Sequence, residues 1–201
     1  MKTIYNSNKK MLQKVFGGIF LGLICSFSAS FAGQYNFEKG TISITLPAPV
    51  GQILAVNQSI TGYIQPGTGD MDFEVIVEGF HFITSFMPDY INEETTERFR
   101  EYYLETDRFP KAFYKGKITD LTKINFTKDG IYNVETNGVI TVHGVTQKIN
   151  RNAIIIVKGR KIILKTDFVL NLDSYKIRKP ELLKKVFFKE VAVAVECQLK
   201  Q

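Results

Sequence analysis

The chain has 201 residues and a formal net charge of +6, with sixteen Phe and nine Tyr but no Trp. Four of its 26 basic residues and none of its 20 acidic ones lie in the first 32 residues, so the remainder carries a charge of only +2. A nearly neutral chain of this kind argues against a nucleic-acid-binding protein, and its length suits a single domain.

The first predicted element is a secretory signal peptide. Its positive region contains four lysines, Lys2, Lys9, Lys10 and Lys14. An uncharged apolar run at residues 15–27 is too short to span a membrane comfortably, and Ser30 and Ala32 then offer small residues for cleavage. We therefore expect residues 1–32 to be a signal peptide and residues 33–201 to be an exported domain, periplasmic where the host has an outer membrane. Secretion and an uncleaved membrane anchor are the alternatives.

Most of the remaining chain alternates between apolar and polar residues, the pattern of half-buried strands. Within residues 70–77, for example, Phe73 and Val75 fall on one face, whereas Asp72 and Glu74 fall on the other. Predicted strands cover residues 41–46, 53–65, 70–77, 112–121, 131–142, 145–157, 161–172 and 187–199.

Turns and helices complete the prediction. His143 and Gly144 are predicted to form a two-residue hairpin turn, in which both positions need a positive φ. Residues 92–103, rich in Glu and Arg, predict a helix inserted between strands, and a second short helix is predicted at residues 181–185 after Pro180.

About eight hairpin-linked strands without alternating helices predict an all-β antiparallel fold, either a closed barrel or a sandwich. An eight-stranded barrel has the size to hold one small ligand. Alternation alone does not tell whether its apolar interior is packed or hollow.

Catalytic motifs are absent from the sequence. It has no G-x-S-x-G, no C-x-x-C and no phosphate-binding loop. Its two histidines, His81 and His143, are too few for a zinc site, and Cys197 falls on the apolar face of the last strand, where a thiol is an inert small hydrophobe. Gly138 is interpreted as a bulge glycine. We therefore predict no catalytic residue, no metal site and no enzymatic activity.

Two motifs carry a family resemblance. The sequence YLETDRFPK of residues 103–111, followed by FYKGKI, resembles the middle signature of the YceI-like family. The sequence GVITVHGVT of residues 138–146 resembles the hairpin of that family, and the closing segments around Phe168–Leu172, Tyr175 and Ile177 follow in the same order. The chain departs from the family in lacking a His in residues 41–46 and in having Ser174 where an Asp is usual.

The resemblance implies an extended, lipocalin-like, eight-stranded barrel, usually periplasmic, that holds a polyisoprenoid or quinone-like chain. We therefore expect an exported lipid-binding protein that carries or stores a polyisoprenoid, quinone-like or fatty chain and requires no cofactor. A solid-core structural or interaction module without a ligand is the alternative, and an enzyme is less favoured. Transient membrane contact and a homodimer are left open.

The predicted ligand wall is taken from the apolar strand faces. Its members are Phe73, Val75, Val77, Ile140, Phe168, Leu170, Val193 and Val195. Tyr63 and Tyr132 are predicted to meet a polar head group at a mouth of the barrel, because tyrosine hydroxyls tolerate a wet edge.

Overall fold

The structure is a computed structural model that describes residues 33–47, 52–83, 89–177 and 189–201. These residues belong to one compact unit, Phe31–Gln201. The predicted signal peptide and the predicted helix at residues 181–185 lie outside the described residues. Among the described helices, none is both long enough and apolar enough to cross a membrane.

Ten strands and one α-helix are defined within this part of the chain. The strands are β1 (Tyr35–Pro47), β2 (Gln52–Asn57), β3 (Ile60–Ile64), β4 (Asp70–Ile76), β5 (His81–Ile83), β6 (Lys111–Ile118), β7 (Gly130–Val142), β8 (Val145–Lys158), β9 (Lys161–Asn171) and β10 (Glu190–Lys200). The helix, α1 (Asp89–Tyr102), lies between β5 and β6. The inserted helix predicted at residues 92–103 is therefore confirmed.

The strands form one antiparallel sheet that closes on itself. Each of β6 to β9 pairs with the next strand along the chain, and β10 pairs with β1. On its other edge β1 pairs with both β2 and β3, while β4 and β5 continue the sheet beside them. β2 and β3 together occupy one position in the wall, beside β1, and β4 and β5 together occupy the next. The ten strands therefore form an eight-stranded barrel. The predicted barrel is confirmed, and the sandwich is excluded.

The break between β2 and β3 reverses which residues face inward. Ala55 and Asn57 are buried in β2, whereas Ile60 and Ile64 are buried in β3, so the alternation shifts by one residue. The fully buried Asn57 stabilises the break, since its Nδ2 donates to the carbonyl of Ile76 at 2.8 Å and its Oδ1 accepts from the amide of Ser59 at 2.7 Å. The predicted continuous strand over residues 53–65 is therefore two strands of opposite parity.

The interpretation of Gly138 as a bulge glycine is wrong. Gly138 pairs with Gly116 on one side and with Ile149 on the other, in uninterrupted register. A Cβ at this position would lie 2.5 Å from the carbonyl oxygen of Lys115 and 3.1 Å from the Tyr114 ring. Glycine is therefore required at position 138 because β6 approaches closely there and because the Tyr114 ring lies across the Gly116–Gly138 pair. The predicted His143-Gly144 turn is confirmed, with φ values of 51° and 72°.

One end of the barrel is solidly packed. The segment between β6 and β7 folds over this end and brings Ile124 and Phe126 into the core. The Tyr35 hydroxyl donates to the Phe126 carbonyl at 3.1 Å, and the two rings lie 5.9 Å apart. Ile155, Ile162 and Leu199 are fully buried beneath them. No ligand can enter through this end without unpacking it.

Helix α1 lies at the opposite end, beside β5. The Thr96 hydroxyl accepts a hydrogen bond from the Phe82 amide at 3.0 Å and donates to the Asn92 carbonyl at 2.8 Å. The Phe99 ring meets the Phe82 ring edge-on at 4.5 Å. These contacts place Phe99 over the barrel interior, between the strand core and Tyr103.

Candidate functional site

A cavity of about 200 Å³ occupies the barrel between the packed end and α1. Its wall is almost wholly apolar and is built by inward-facing side chains from most of the strands. Several of these side chains, among them Ile42, Ile140 and Phe168, keep accessible surface although they point inward. The interior is therefore hollow rather than filled by its own side chains.

The eight apolar residues predicted for the ligand wall all line this cavity. They are Phe73, Val75, Val77, Ile140, Phe168, Leu170, Val193 and Val195. The structure brings them together because β4, β7, β9 and β10 keep their alternation through the middle of the barrel. Their role in binding a ligand stays a prediction.

The two predicted mouth residues do not line the cavity. Tyr63 alternates with the buried Ile64, so it faces outward beside Asp72; the parity change before β3 is the physical reason. Tyr132 lies at the packed end, where its hydroxyl donates to the Lys128 carbonyl at 2.9 Å. Neither hydroxyl is placed to meet a head group inside this cavity.

Other wall residues were not nominated from the sequence. Ile42, Ile44 and Leu46 of β1 line the cavity, and their alternation could have identified them. Phe99 and Leu104 also line it, but only the docking of α1 reveals this.

Four of the wall side chains carry a polar group: Tyr114, Thr136, Arg151 and Thr166. Burial raises the pKa of Tyr114, an effect that the neighbouring Thr136 hydroxyl partly offsets. The Thr136 hydroxyl donates to the Arg151 carbonyl at 3.0 Å. These groups lie on neighbouring strands β6, β7, β8 and β9, so the polarity of the cavity is confined to one side of its wall.

His143 holds the helix end of the barrel together. Its Nδ1 donates to the Tyr175 carbonyl at 3.2 Å, and its Nε2 lies 3.6 Å from Oε1 of Glu105. Glu105 contacts Arg108, and the ring of Phe109 lies 4.2 Å from that of His143. The histidine thus joins the β7–β8 turn to the segments after α1 and after β9. These segments contribute Leu104, Leu172 and Ile177 to the cavity wall.

Metal-binding side chains are dispersed in the described part of the chain. No group of three or more His, Cys, Asp or Glu residues there is placed to hold a metal ion. Burial is the main cause that raises the pKa of Cys197 to about 12, so the thiol is neutral at physiological pH. The site can enclose an apolar molecule, and its few polar side chains lie on one side of the wall.

The model of the YceI-like domain matches residues 43–199. The chain belongs to the YceI-like family. The match covers the barrel from the middle of β1 almost to the end of β10, so the resemblance of the two motif segments extends over the domain. None of the curated proteins matches this YceI-like chain.

Solved structures show the same fold. A polyisoprenoid binding domain from Saccharophagus degradans, implicated in plant cell wall breakdown, has a TM-score of 0.68 at 12% identity, covering 83% of this chain and 97% of that one. BcnA of Burkholderia cenocepacia has a TM-score of 0.58 at 12% identity, covering 79% of this chain and 95% of that one. The YceI-like chain and these two proteins therefore share the barrel.

Proposed function

We propose that this YceI-like protein is an exported lipid-binding protein that holds one polyisoprenoid, quinone-like or fatty chain along the barrel. It would carry or store the lipid in the periplasm. The observation that carries the proposal is the apolar cavity inside a closed barrel. The name of the Saccharophagus degradans domain, which describes polyisoprenoid binding, supports the same ligand class.

The physical basis is the removal of apolar surface from water. Each methylene that moves from water into an apolar wall contributes about 0.8 kcal/mol. Because the wall presents almost only apolar surface, a hydrocarbon chain can fill the cavity at little desolvation cost. The buried Tyr114 hydroxyl is the exception in this wall, since it forms no hydrogen bond with the described residues. The cavity therefore favours a long apolar chain that ends in a single polar head group.

The alternative of a ligand-free structural module fits the cavity less well. Protein interiors are close-packed, and the voids that remain are mostly no larger than a water molecule. A dry space of about 200 Å³ lowers stability unless a ligand fills it. Catalysis has no support from the cavity wall either, since neither histidine lines it.

The direct test is native mass spectrometry of the protein purified from its own host, followed by lipid extraction. We expect an isoprenoid, a quinone or a fatty lipid at near-stoichiometric yield. Added polyprenol or quinone should raise the melting temperature of delipidated protein, because a ligand that binds only the folded state stabilises it. Empty protein whose melting temperature no lipid changes would favour the ligand-free module.

A matched pair of variants tests the cavity itself. Ala112 lines the cavity, whereas Ala192 lies exposed on the outer face of β10. Ala112→Phe should fill the cavity and abolish lipid retention, and Ala192→Phe should leave retention unchanged. Equal lipid yield from both folded variants would contradict binding inside the barrel.

A further inference from the structure

Strands β8 and β9 are paired over only part of their length. Their ladder runs from Lys158 opposite Lys161 to Ile154 opposite Lys165, next to the hairpin turn. Beyond it, the Thr166 hydroxyl donates to the Asn152 carbonyl at 2.9 Å. The rest of β8 pairs with β7 only, and the rest of β9 with β10 only. The two strands therefore separate into a seam, which we define as residues 145–151 of β8 and 167–171 of β9.

The far end of the seam is bridged again. Gln147 Nε2 donates to the Ser174 carbonyl at 3.4 Å, and His143 Nδ1 donates to the Tyr175 carbonyl at 3.2 Å. Between these contacts and Asn152, no hydrogen bond joins β8 to β9 among the described residues. The seam is thus a bounded gap in an otherwise continuous wall.

The cavity reaches this gap. Ile149 and Arg151 from β8 line the cavity, as do Phe168 and Leu170 from β9. Arg151 is an exposed residue although it shares the inward face of β8 with Ile149. A side chain that lines a cavity and is exposed marks a place where the cavity meets the surface. The solidly packed end of the barrel offers no comparable route.

Polar groups border the cavity at the same place. The Thr166 and Thr136 hydroxyls lie near the start of the seam, each bonded to a β8 carbonyl. The Arg151 guanidinium donates to its neighbour's carbonyl, Asn150 O, at 3.2 Å, and it takes part in none of the ion pairs between described residues. A cation without a carboxylate partner beside an apolar cavity fits an anionic group on the ligand.

We propose that the seam between β8 and β9 is the port through which the lipid enters and leaves, and that Arg151 binds an anionic head group there. This inference rests on the proposed lipid-binding function and deepens it. The acyl or prenyl chain lies in the apolar cavity, and the head group, a carboxylate or a phosphate, stays at the seam. A neutral quinone is then the weaker ligand.

The head group is tested with three probes of one chain length: palmitate, hexadecyl phosphate and hexadecanol. Binding of each to the full chain is measured by native mass spectrometry. Arg151→Gln should weaken binding of the two anions about tenfold and leave hexadecanol unchanged. Lys148→Gln is the control, because it removes one positive charge from the same strand at an exposed position of opposite parity. The anion that loses more affinity identifies the preferred head group.

The port is tested by closing it. Asn150 and Val169 would lie opposite each other if the ladder continued, and both are exposed. Cysteines at these two positions, in a Cys25→Ser background, are joined by a short thiol-reactive linker that reduction removes. Exchange of bound hexadecyl phosphate for a deuterated copy should slow at least tenfold and recover on reduction. Cysteines at Ile156 and Ile163, already opposite each other in the ladder, provide the control.

The outcomes separate the inference from the function on which it rests. If the wild-type chain binds none of the three probes and no polyprenol or quinone, the proposed function fails together with the inference. If it binds polyprenol or quinone but neither anion, the head-group site is wrong. If the wild-type chain binds them but Arg151→Gln weakens the alcohol as much as the anions, the head-group site is wrong. Unchanged exchange in the linked seam, with folded protein and confirmed linkage, would overturn the port.

Discussion

At the scale of single residues, the facing glycines Gly116 and Gly138 determine where the Tyr114 ring lies. A Cβ on Gly116 would overlap the Tyr114 hydroxyl, and one on Gly138 would lie 3.1 Å from the ring. The ring therefore covers both glycines, an arrangement that compensates for their missing side chains. It also sets the Tyr114 hydroxyl beside Thr136 in the cavity wall.

Gly138→Ala should destabilise the barrel by about 2 kcal/mol, since the added methyl overpacks a site bounded by backbone. Its Cβ would lie 2.5 Å from the Lys115 carbonyl oxygen and 2.7 Å from the Gly116 Cα, neither of which can rotate away. Gly67→Ala is the matched control, because nothing lies within 4 Å of its Cβ. Urea denaturation checks both variants, and equal midpoints would contradict the close approach.

The buried thiol of Cys197 gives a prediction about alkaline pH. Its pKa is raised from 9.0 to about 12 in the folded protein, mainly by burial. The unfolded chain therefore loses this proton first, so the contribution of the thiol to stability is complete below about pH 9 and declines as the pH rises toward 12. Deprotonation of this thiol in the unfolded chain lowers the free energy of unfolding by at most about 1.4 kcal/mol per pH unit.

Comparing Cys197→Ala with the wild type, both in the Cys25→Ser background, isolates this effect from other groups that titrate at alkaline pH. The variant should lose less free energy of unfolding between pH 9 and pH 11 than the wild type does. Iodoacetamide at pH 8 should also modify Cys197 only after urea unfolds the chain. Rapid labelling of the folded protein would show that the thiol is accessible.

At the scale of elements, three separate segments meet at His143. The β7–β8 turn supplies the ring, the segment after α1 supplies Glu105 and Phe109, and the segment after β9 supplies the Tyr175 carbonyl. The two motifs that carry the family resemblance thus pack against each other. Residues of both motifs hold the helix end of the barrel in place. Other residues of the same motifs line the cavity: Leu104, Phe113, Tyr114, Ile140 and Val142.

His143→Ala should lower the free energy of unfolding by about 2 kcal/mol, because it removes the Nδ1 hydrogen bond and the packing on Phe109. Alanine is also disfavoured at the φ of 51° found there. For a chain of this size the melting temperature should fall by about 4–8 °C. His81 is exposed, so His81→Ala is the control. Similar melting curves for both variants would contradict the joining role of His143.

Alternation within strands was enough to predict most of the barrel and eight of its wall residues. It failed where the inward-facing positions shift by one residue, as between Asn57 and Ile60. A period-two pattern contains no signal for such a shift. Tyr63 was misplaced for this reason. The hollow interior could not be predicted, because the same apolar faces suit a packed core. The seam could not be predicted either, because the sequence of one strand does not determine how many of its residues pair with the next strand.

At the scale of the whole molecule, the export of the chain is a prediction that the first 32 residues carry. Mass spectrometry of the protein from its own host should find an N-terminus near Gly33. Ala32→Arg should block cleavage and leave a longer, membrane-bound precursor, because the cleavage site needs a small residue there. Phe31→Tyr changes the position between the two small residues and should be processed normally. An intact Met1 in the wild type would contradict export with cleavage.

The closure of the wall by β1 and β10 also constrains how the protein folds. Asn36 pairs with Lys200, so β1 meets its partner only after β10 has been synthesised. Contacts so distant in sequence slow folding, because the entropy of ordering the intervening chain is lost before they form. Until then β1 presents an unpaired edge that another copy can extend. The newly made chain therefore depends on protection from aggregation until β10 has emerged and paired with β1.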